Sequence, residues 1–577
     1  MVDLFRSCWI ILLRQIKHRG YDMVIKNSLL SKVLYCFIFF ILFGCISNAF
    51  AAGDIWKTIV ISEQSQAEVF ATRDLQRYIG QVTGVVPEVV EAKEWLKKPM
   101  PAILIGNVVF KEITPEISNQ TGEQGYFLEQ GNYKDVEVIK AFGATAIGNV
   151  NAVYGLLREV GFGFYLGGES LPVALPERLG FASVVRNPVF KVRGSLPWYN
   201  FFNSPTAWDA VDHRTFVDQL IRCGANAVTF HSYNCEPFAA YEKDGKMQLG
   251  KRLRSSKNED RWGVNKIAVD EFGFGTDKLF TGEGFGAASS LMDIDDDAAI
   301  KLEQDILRDA LDYAKKRGLY TSLGFEIYGD PTDPNVRDEF LKRFNYVLNQ
   351  YPSLDYISLW QREGHGTMGF PNTWAHIKDD SFLKTYAIAR RDIFKRAVEE
   401  AKGHKDMFLD NEAGKFARAT EGARLEQFGM LAYNQLLKRI DGPELMMAGW
   451  GGDGHLMMGA YYHGLDKLLP KDVIFSALTY EKSYDDLDAD RHRWPVPWLE
   501  CDGDMWHPQS VTSWLQGTMK DIKKGGSDGY LTIHWRTREI EESFSASVEQ
   551  SWRPELTYEQ FYDELAEKYY GKAIAKE

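Results

Sequence analysis

Cysteine is scarce in this chain. Of the six present, Cys8, Cys36 and Cys45 precede residue 51, leaving Cys223, Cys235 and Cys501. An odd number at wide spacing provides neither a disulfide framework nor a cysteine-based zinc site, and the remaining thiols are expected to be free. The eleven histidines are scattered and include no H-x-x-x-H pair, so no metal is expected. No G-x-x-x-x-G-K-[ST] loop occurs, which removes the nucleotide-hydrolase reading. Positive charge is also short: 67 Lys and Arg stand against 80 Asp and Glu, a net charge of −13. Nucleic-acid backbones are bound by clustered cations, so a nucleic-acid partner is not expected. The apolar run Val33 to Gly44 falls short of the roughly 20 residues that span a bilayer.

What is present suits an ordinary globular protein, with 45% hydrophobic and 25% charged residues. Aromatics reach 13%, including 15 Trp and 27 Tyr, and such rings either fill large cores or stack on flat ligands. At the N-terminus, Lys26 and Lys32 precede the Val33–Gly44 run, and Ala49-Phe50-Ala51 follows. Charged region, apolar region and A-x-A site together read as a signal peptide over 1–51, starting at Met23. A periplasmic or extracellular protein with no stable membrane span is expected. Cys45 after Leu42-Phe43-Gly44 offers a weaker lipoprotein alternative, because Phe43 makes a poor lipobox.

Residues 52–185 form a first unit. Strands are expected at Ile59–Ile61, Ala102–Ile105, Gly125–Leu128, Val136–Ile139 and Ala144–Gly148. Helical spacing over Glu68–Val82 ends at Gly84, and over Asn151–Val160 at Gly161. The order implies a small α+β sandwich with helices on one sheet face. The segments ATRDLQRYIGQVTGVVP, ILIGN and TAIGNVNAVYGLLREVGFGFYLGGESLP resemble the N-terminal domain that precedes the catalytic barrel in family 20 β-hexosaminidases and family 67 α-glucuronidases. This resemblance covers about the first quarter of the chain. It concerns an accessory domain, so it does not identify the catalyst.

From 186 to 550, strands alternate with helices. Strands are expected near 190–194, 227–231, 321–325, 356–360, 445–450, 473–477, 496–499 and 530–535. Eight such repeats predict an α/β fold, a (β/α)8 TIM barrel, preceded by the sandwich. A C-terminal amphipathic helix falls in 551–577, possible start of a further helical region. Asp293-Ile294-Asp295-Asp296-Asp297 lacks the Gly and Glu of a calcium loop, and is expected to cap the following helix.

Polar and aromatic residues gather at the expected strand ends. The clearest case is Asp355 to Gly366, where the apolar run YISLW gives way to Gln361, Arg362, Glu363 and His365. In a TIM barrel the C-terminal ends of the strands converge on one rim, where chemistry is done. Glycoside hydrolysis needs one carboxyl to protonate the leaving oxygen and a second to act as nucleophile or base. In families 20 and 67 the acid stands at the end of strand four, and Glu363 occupies the corresponding position. A neighbouring ring such as Trp360 would help keep it protonated. Family 20 places Asp immediately before that Glu, whereas this chain has Arg362. The change weakens the substrate-assisted hexosaminidase reading and suits an anionic sugar, because a guanidinium fork grips a carboxylate.

The second carboxylate is open among Asp502, Asp504, Asp453 and Glu539. Arg193, His231, Glu326, Trp360, Arg362, Trp450, Trp506, Trp535 and Arg536 are the candidate substrate-binding residues, with the indoles as sugar platforms. The expected partner is an oligosaccharide or polysaccharide carrying uronic acid or N-acetylhexosamine, with no cofactor. A non-catalytic carbohydrate-binding barrel and a uronate lyase are the alternatives.

Overall fold

The computed structural model describes residues 53–62, 64–106, 121–199, 205, 208–251, 294–361, 412–449, 464–477, 487–500, 509–571 and 574–575, with backbone only for 412–421. In chain order the N-terminal unit contains β1 (Thr58–Ile61), α1 (Gln66–Thr83), β2 (Glu88–Glu91), α2 (Ala92–Trp95), β3 (Ala102–Ile105), β4 (Tyr126–Tyr133), β5 (Val136–Phe142), α3 (Ala146–Glu159), β6 (Gly163–Tyr165), β7 (Gly168–Ser170) and β8 (Ser183–Arg186). Six of these strands form one sheet in the order β2-β1-β3-β5-β4-β8, and β6 and β7 make a separate hairpin. β1, β2, β3 and β5 run parallel, while β4 is antiparallel to both its neighbours.

Helix α1 starts at a capping box. The Ser65 hydroxyl accepts from Glu68 N and the Glu68 carboxylate accepts from Ser65 N; the helix stops at Gly84, whose φ of 74° is left-handed. Ala144–Gly148, expected as a strand, is instead the entry to α3. The Thr145 hydroxyl accepts from Gly148 N and Asn149 Oδ1 accepts from Gly143 N. Backbone packs so closely here that a Cβ on Gly143 would lie 2.4 Å from the Gly148 backbone. A helix start with its own side-chain cap prevails over the strand-like look of five small and apolar residues.

The second unit contains β9 (Val192–Pro197), α4 (Ala210–Cys223), β10 (Ala227–Ser232), the hairpin β11 (Tyr241–Lys243) and β12 (Lys246–Gln248), α5 (Asp296–Arg317), β13 (Tyr320–Ile327), α6 (Pro334–Gln350), β14 (Tyr356–Gln361), α7 (Glu412–Leu436), β15 (Glu444–Gly449), β16 (Ile474–Ala477), β17 (Arg493–Pro495), α8 (Thr512–Lys524), β18 (Gly529–His534), α9 (Glu541–Trp552) and α10 (Tyr558–Tyr570). Eight strands pair in parallel in the order β17-β16-β15-β14-β13-β10-β9-β18. The ends of that row meet just beyond β17. Leu499 N donates to Ile533 O and Ile533 N to Pro497 O, both at 3.0 Å, with Trp498 bridged to Ile533. The sheet thus closes as a (β/α)8 barrel.

Helix α5 begins at Asp295, whose carboxylate accepts from Ala298 N, with Asp296 and Asp297 in the first turn. The acidic run is a cap, as its composition indicated. The two units meet at α1, α3, α4 and α5. There the buried Asp74 carboxylate accepts from Tyr154 Oη (2.8 Å), Arg222 Nε (3.0 Å) and Arg317 Nη2 (3.2 Å). Burial pushes the Asp74 carboxyl up, but the Arg222 and Arg317 charges outweigh it and hold the group below its ordinary range.

Candidate active site

Side-chain alternation along the strands decides what enters the barrel. On β10, Val228 and Phe230 pack outward in the core shared with the helices, while Ala227 and Tyr233 join the inner cluster, so His231 faces inward. On β14, Tyr356 and Trp360 turn inward and Ile357 and Leu359 outward. On β9 and its extension, Val192, Leu196 and Trp198 face inward. On β18, Leu531, Ile533 and Trp535 do so, and Trp494, Val496 and Trp498 do the same on β17 and its extension.

The inward residues at the C-terminal ends form an aromatic floor. Trp198 and His231 stack at 4.4 Å with planes 13° apart. Trp360 stands edge-on to both, at 5.6 Å from Trp198 and 4.7 Å from His231. Tyr233 closes the group, 5.0 Å from His231 at 89°. On the β17–β18 side, Trp498 and Trp535 lie 5.7 Å apart. Trp498 is half-buried and the other rings are buried.

Glu326 is fully buried in register with Trp360 across the β13–β14 ladder. Leu323, Phe325 and Ile327 pack outward and Tyr320 inward, so the Glu326 carboxyl belongs to the inner face. One step below, Gly324 makes room for the indole. A Cβ there would lie 2.3 Å from Trp360 Nε1. Arg343 on α6 braces this corner, donating to Asn234 Oδ1 (2.7 Å), Ala239 O (2.8 Å) and Glu326 O (3.0 Å).

The structure therefore brings His231, Glu326, Trp360 and Trp535 together at the barrel mouth. Arg193 is elsewhere. It is the second residue of β9, at the opposite end of the strand, and packs outward against the N-terminal unit. It donates to Gln124 Oε1, Phe190 O and Gly224 O and lies 4.9 Å from the Trp552 ring. Burial pulls its guanidinium down to about 10. Its role is to join the two units, which corrects the substrate-binding assignment. Arg536 is buried and bound through Nε to Glu500 Oε2 at 2.7 Å. Glu539 is exposed on the turn before α9. Arg362, Glu363, Trp450, Asp453, Asp502, Asp504 and Trp506 lie outside the described residues.

Trp198, Tyr233 and Trp498 belong to the mouth though they were not among the candidates. Period-two spacing marks them: Leu196 with Trp198, His231 with Tyr233, and Trp494-x-Val496-x-Trp498. His534 points outward, donating from Nδ1 to Arg536 O and accepting from Ser195 Oγ at Nε2, each at 2.7 Å. It supports the wall rather than the lumen. Among the described residues, no cluster of His, Cys, Asp and Glu could hold a metal ion.

In fold, this chain is similar to solved structures of glycoside hydrolases. The sequence itself matches no protein-family model and no curated protein. The structure of CpGH84B superposes with a TM-score of 0.50 at 10% identity, over 90% of this chain and 71% of that one. A GH138 enzyme targeting pectin rhamnogalacturonan II gives 0.49 at 11% identity, covering 89% of this chain and 53% of its own length. A GH20 exo-β-N-acetylglucosaminidase from Vibrio harveyi, in an inactive mutant form, gives 0.48 at 13% identity, over 90% and 74%. This chain thus spans little more than half of the GH138 enzyme. At such identities the likeness to CpGH84B shows a common fold, and the chemistry has to be argued from the site.

Proposed function

We propose that this protein is an exported glycoside hydrolase acting on a glycan that carries uronic acid or N-acetylhexosamine. The observation that carries the reading is the barrel mouth: Trp198, Tyr233, Trp360, Trp498 and Trp535 with one inward carboxyl, Glu326, beside Trp360. Pyranose rings present apolar C–H faces that indole rings can cover, and a buried carboxylate accepts from sugar hydroxyls. Glu363 is the proposed general acid, and its support is positional. It follows Gln361, the last residue of β14, by two residues. The partner carboxylate is proposed among Asp453, Asp502 and Asp504, with Glu539 the least favoured because it is exposed. Arg362, Trp450 and Trp506 are proposed to contact substrate from the same rim. A carboxyl separation near ~5 Å would give retention, and ~6.5–9.5 Å inversion. Export rests on the charged, apolar and A-x-A segments before residue 52. No helix among the described residues is long and apolar enough to cross a membrane.

The test is a panel of aryl glycosides of glucuronic acid, N-acetylglucosamine and neutral sugars in both anomers, with Glu363→Gln as control. Release from one sugar, lost in the variant while binding persists, is the expected result. An unsaturated product absorbing in the ultraviolet would mean a uronate lyase. Glycan binding without turnover on aryl or oligomeric substrates would mean a binding protein.

A further inference from the structure

Glu500 has no place in the chemistry proposed above, yet it is among the most completely engaged carboxylates among the described residues. It stands just past the strand extension that closes the barrel, with its side chain fully shielded from solvent. Its Oε1 accepts from Trp535 N and from Arg536 N, and its Oε2 accepts from Arg536 Nε, all at 2.7 Å. The ladder of β18 ends at His534, so the amides of Trp535 and Arg536 have left the sheet. Buried N–H groups without an acceptor are costly, and an ionised carboxylate is the strongest acceptor available to them. The fork of Arg536 supplies the balancing charge. The result is a three-donor cradle that fixes the direction in which the chain leaves β18.

That direction decides where the next ring goes. Trp535 turns into the mouth, 5.7 Å from Trp498, and Trp498 lies two residues before Glu500 on the same segment. Glu500 therefore ties both halves of the indole pair to one anchor. We propose that Glu500, through the backbone of residues 535 and 536 and with Arg536 as its counter-charge, is a positioning residue that sets the pose of Trp535 as a wall of the glycan-binding mouth. The proposal rests on the glycan-binding reading of that mouth. It also gives Arg536 a role different from direct contact with an anionic sugar.

Glu500→Gln tests it. A carboxamide of the same shape keeps one oxygen for two amides but turns an N–H toward Arg536 Nε, so the cradle loses one acceptor and its charge. Protein labelled with 5-fluorotryptophan reports ring positions without needing turnover. The Trp535 signal is identified by its absence in Trp535→Phe. In Glu500→Gln that signal is expected to shift or broaden while the signal of Trp56, in the N-terminal unit, stays. On a substrate found by the aryl panel, KM is expected to rise about tenfold with kcat within about twofold, and adding Trp535→Phe is expected to raise KM little further, because the two changes act through one ring. An unmoved Trp535 signal overturns the proposal, as does full additivity of the KM effects. If no glycoside is cleaved or bound but the Trp535 signal moves, the positioning stands and the glycan reading fails.

Discussion

His534 and His213 are both satisfied as neutral rings. His213 Nδ1 donates to Asp209 O at 2.7 Å and its Nε2 accepts from Tyr199 Oη at 3.1 Å. His534 is held in the same manner by Arg536 O and Ser195. Burial pulls each imidazole down to about 4, against an ordinary value of about 6.5. Above about pH 6.5 neither the folded nor the unfolded chain binds the proton, and the stability is fully present. As the pH falls below that value the unfolded chain takes up a proton that the folded chain refuses. Stability should drop by about 1.4 kcal/mol per pH unit per histidine until about pH 4. Denaturant unfolding at pH 7.0, 6.0 and 5.0 measures this, and His534→Asn should reduce the slope by the share of one histidine. A flat profile over that range would contradict the assignment.

Helix α3 shows what an element's first turn contributes. Removing the Thr145 hydroxyl leaves Gly148 N without its acceptor, and Thr145→Ala should lower stability by about 1 kcal/mol. Thermal unfolding reads the change, and Thr145→Ser should recover most of it. The same element marks where sequence reasoning reached its limit. Seven of the eight barrel strands were legible because buried parallel strands are short, nearly continuous apolar runs separated by helices, as in YISLW and AVTFH; the remaining one, expected at 496–499, lies at Arg493–Pro495, and only a bridge at Trp498 continues it. Ala144–Gly148 has that look too, and only its caps reveal a helix. β2 (EVVE) and β8 (SVVR) are four-residue strands at the two edges of their sheet and carry almost no pattern. Register mattered most at β9. Read as 190–194, the strand puts Arg193 near its end; the ladder actually runs to Pro197, and that shift of three residues moves Arg193 from the mouth to the base. Trp360, Glu326 and His231 were legible as mouth residues because they are polar or aromatic steps at the ends of apolar runs. Glu500 was not legible as a clamp, since nothing in a sequence says which amides a carboxylate will find.

Across the whole molecule, Asp74 is the point where four helices and both units share one charge. Asp74→Ala would leave Arg222 and Arg317 facing each other in a buried seam. Although Arg222 and Arg317 retain Asp218 as a partner, the change should cost about 3–5 kcal/mol, as is typical when one member of a buried ion pair is deleted. Calorimetry should show a lower melting temperature. It should also show separation of one transition into two, because the N-terminal sheet and the barrel lose the charged cluster among the contacts that couple their unfolding. A variant that melts in one unchanged transition would mean that the other contacts between the units, among them Arg193 with Gln124, suffice to couple them.

Barrel closure also has a consequence for biosynthesis. Ser195 on β9 and its partner His534 on β18 are 339 positions apart. Ribosomes add about 5–20 residues per second, so β9 waits roughly 20 to 70 s for the strand that covers one of its two edges. During that interval an unpaired parallel edge is open to any other strand, the situation in which chaperone capture or misassembly takes place. The N-terminal unit, whose strands all precede β9, can fold meanwhile, and it supplies the Gln124 acceptor that Arg193 of β9 requires. The small sheet is thus the surface on which the first barrel strand can be held until the last one arrives.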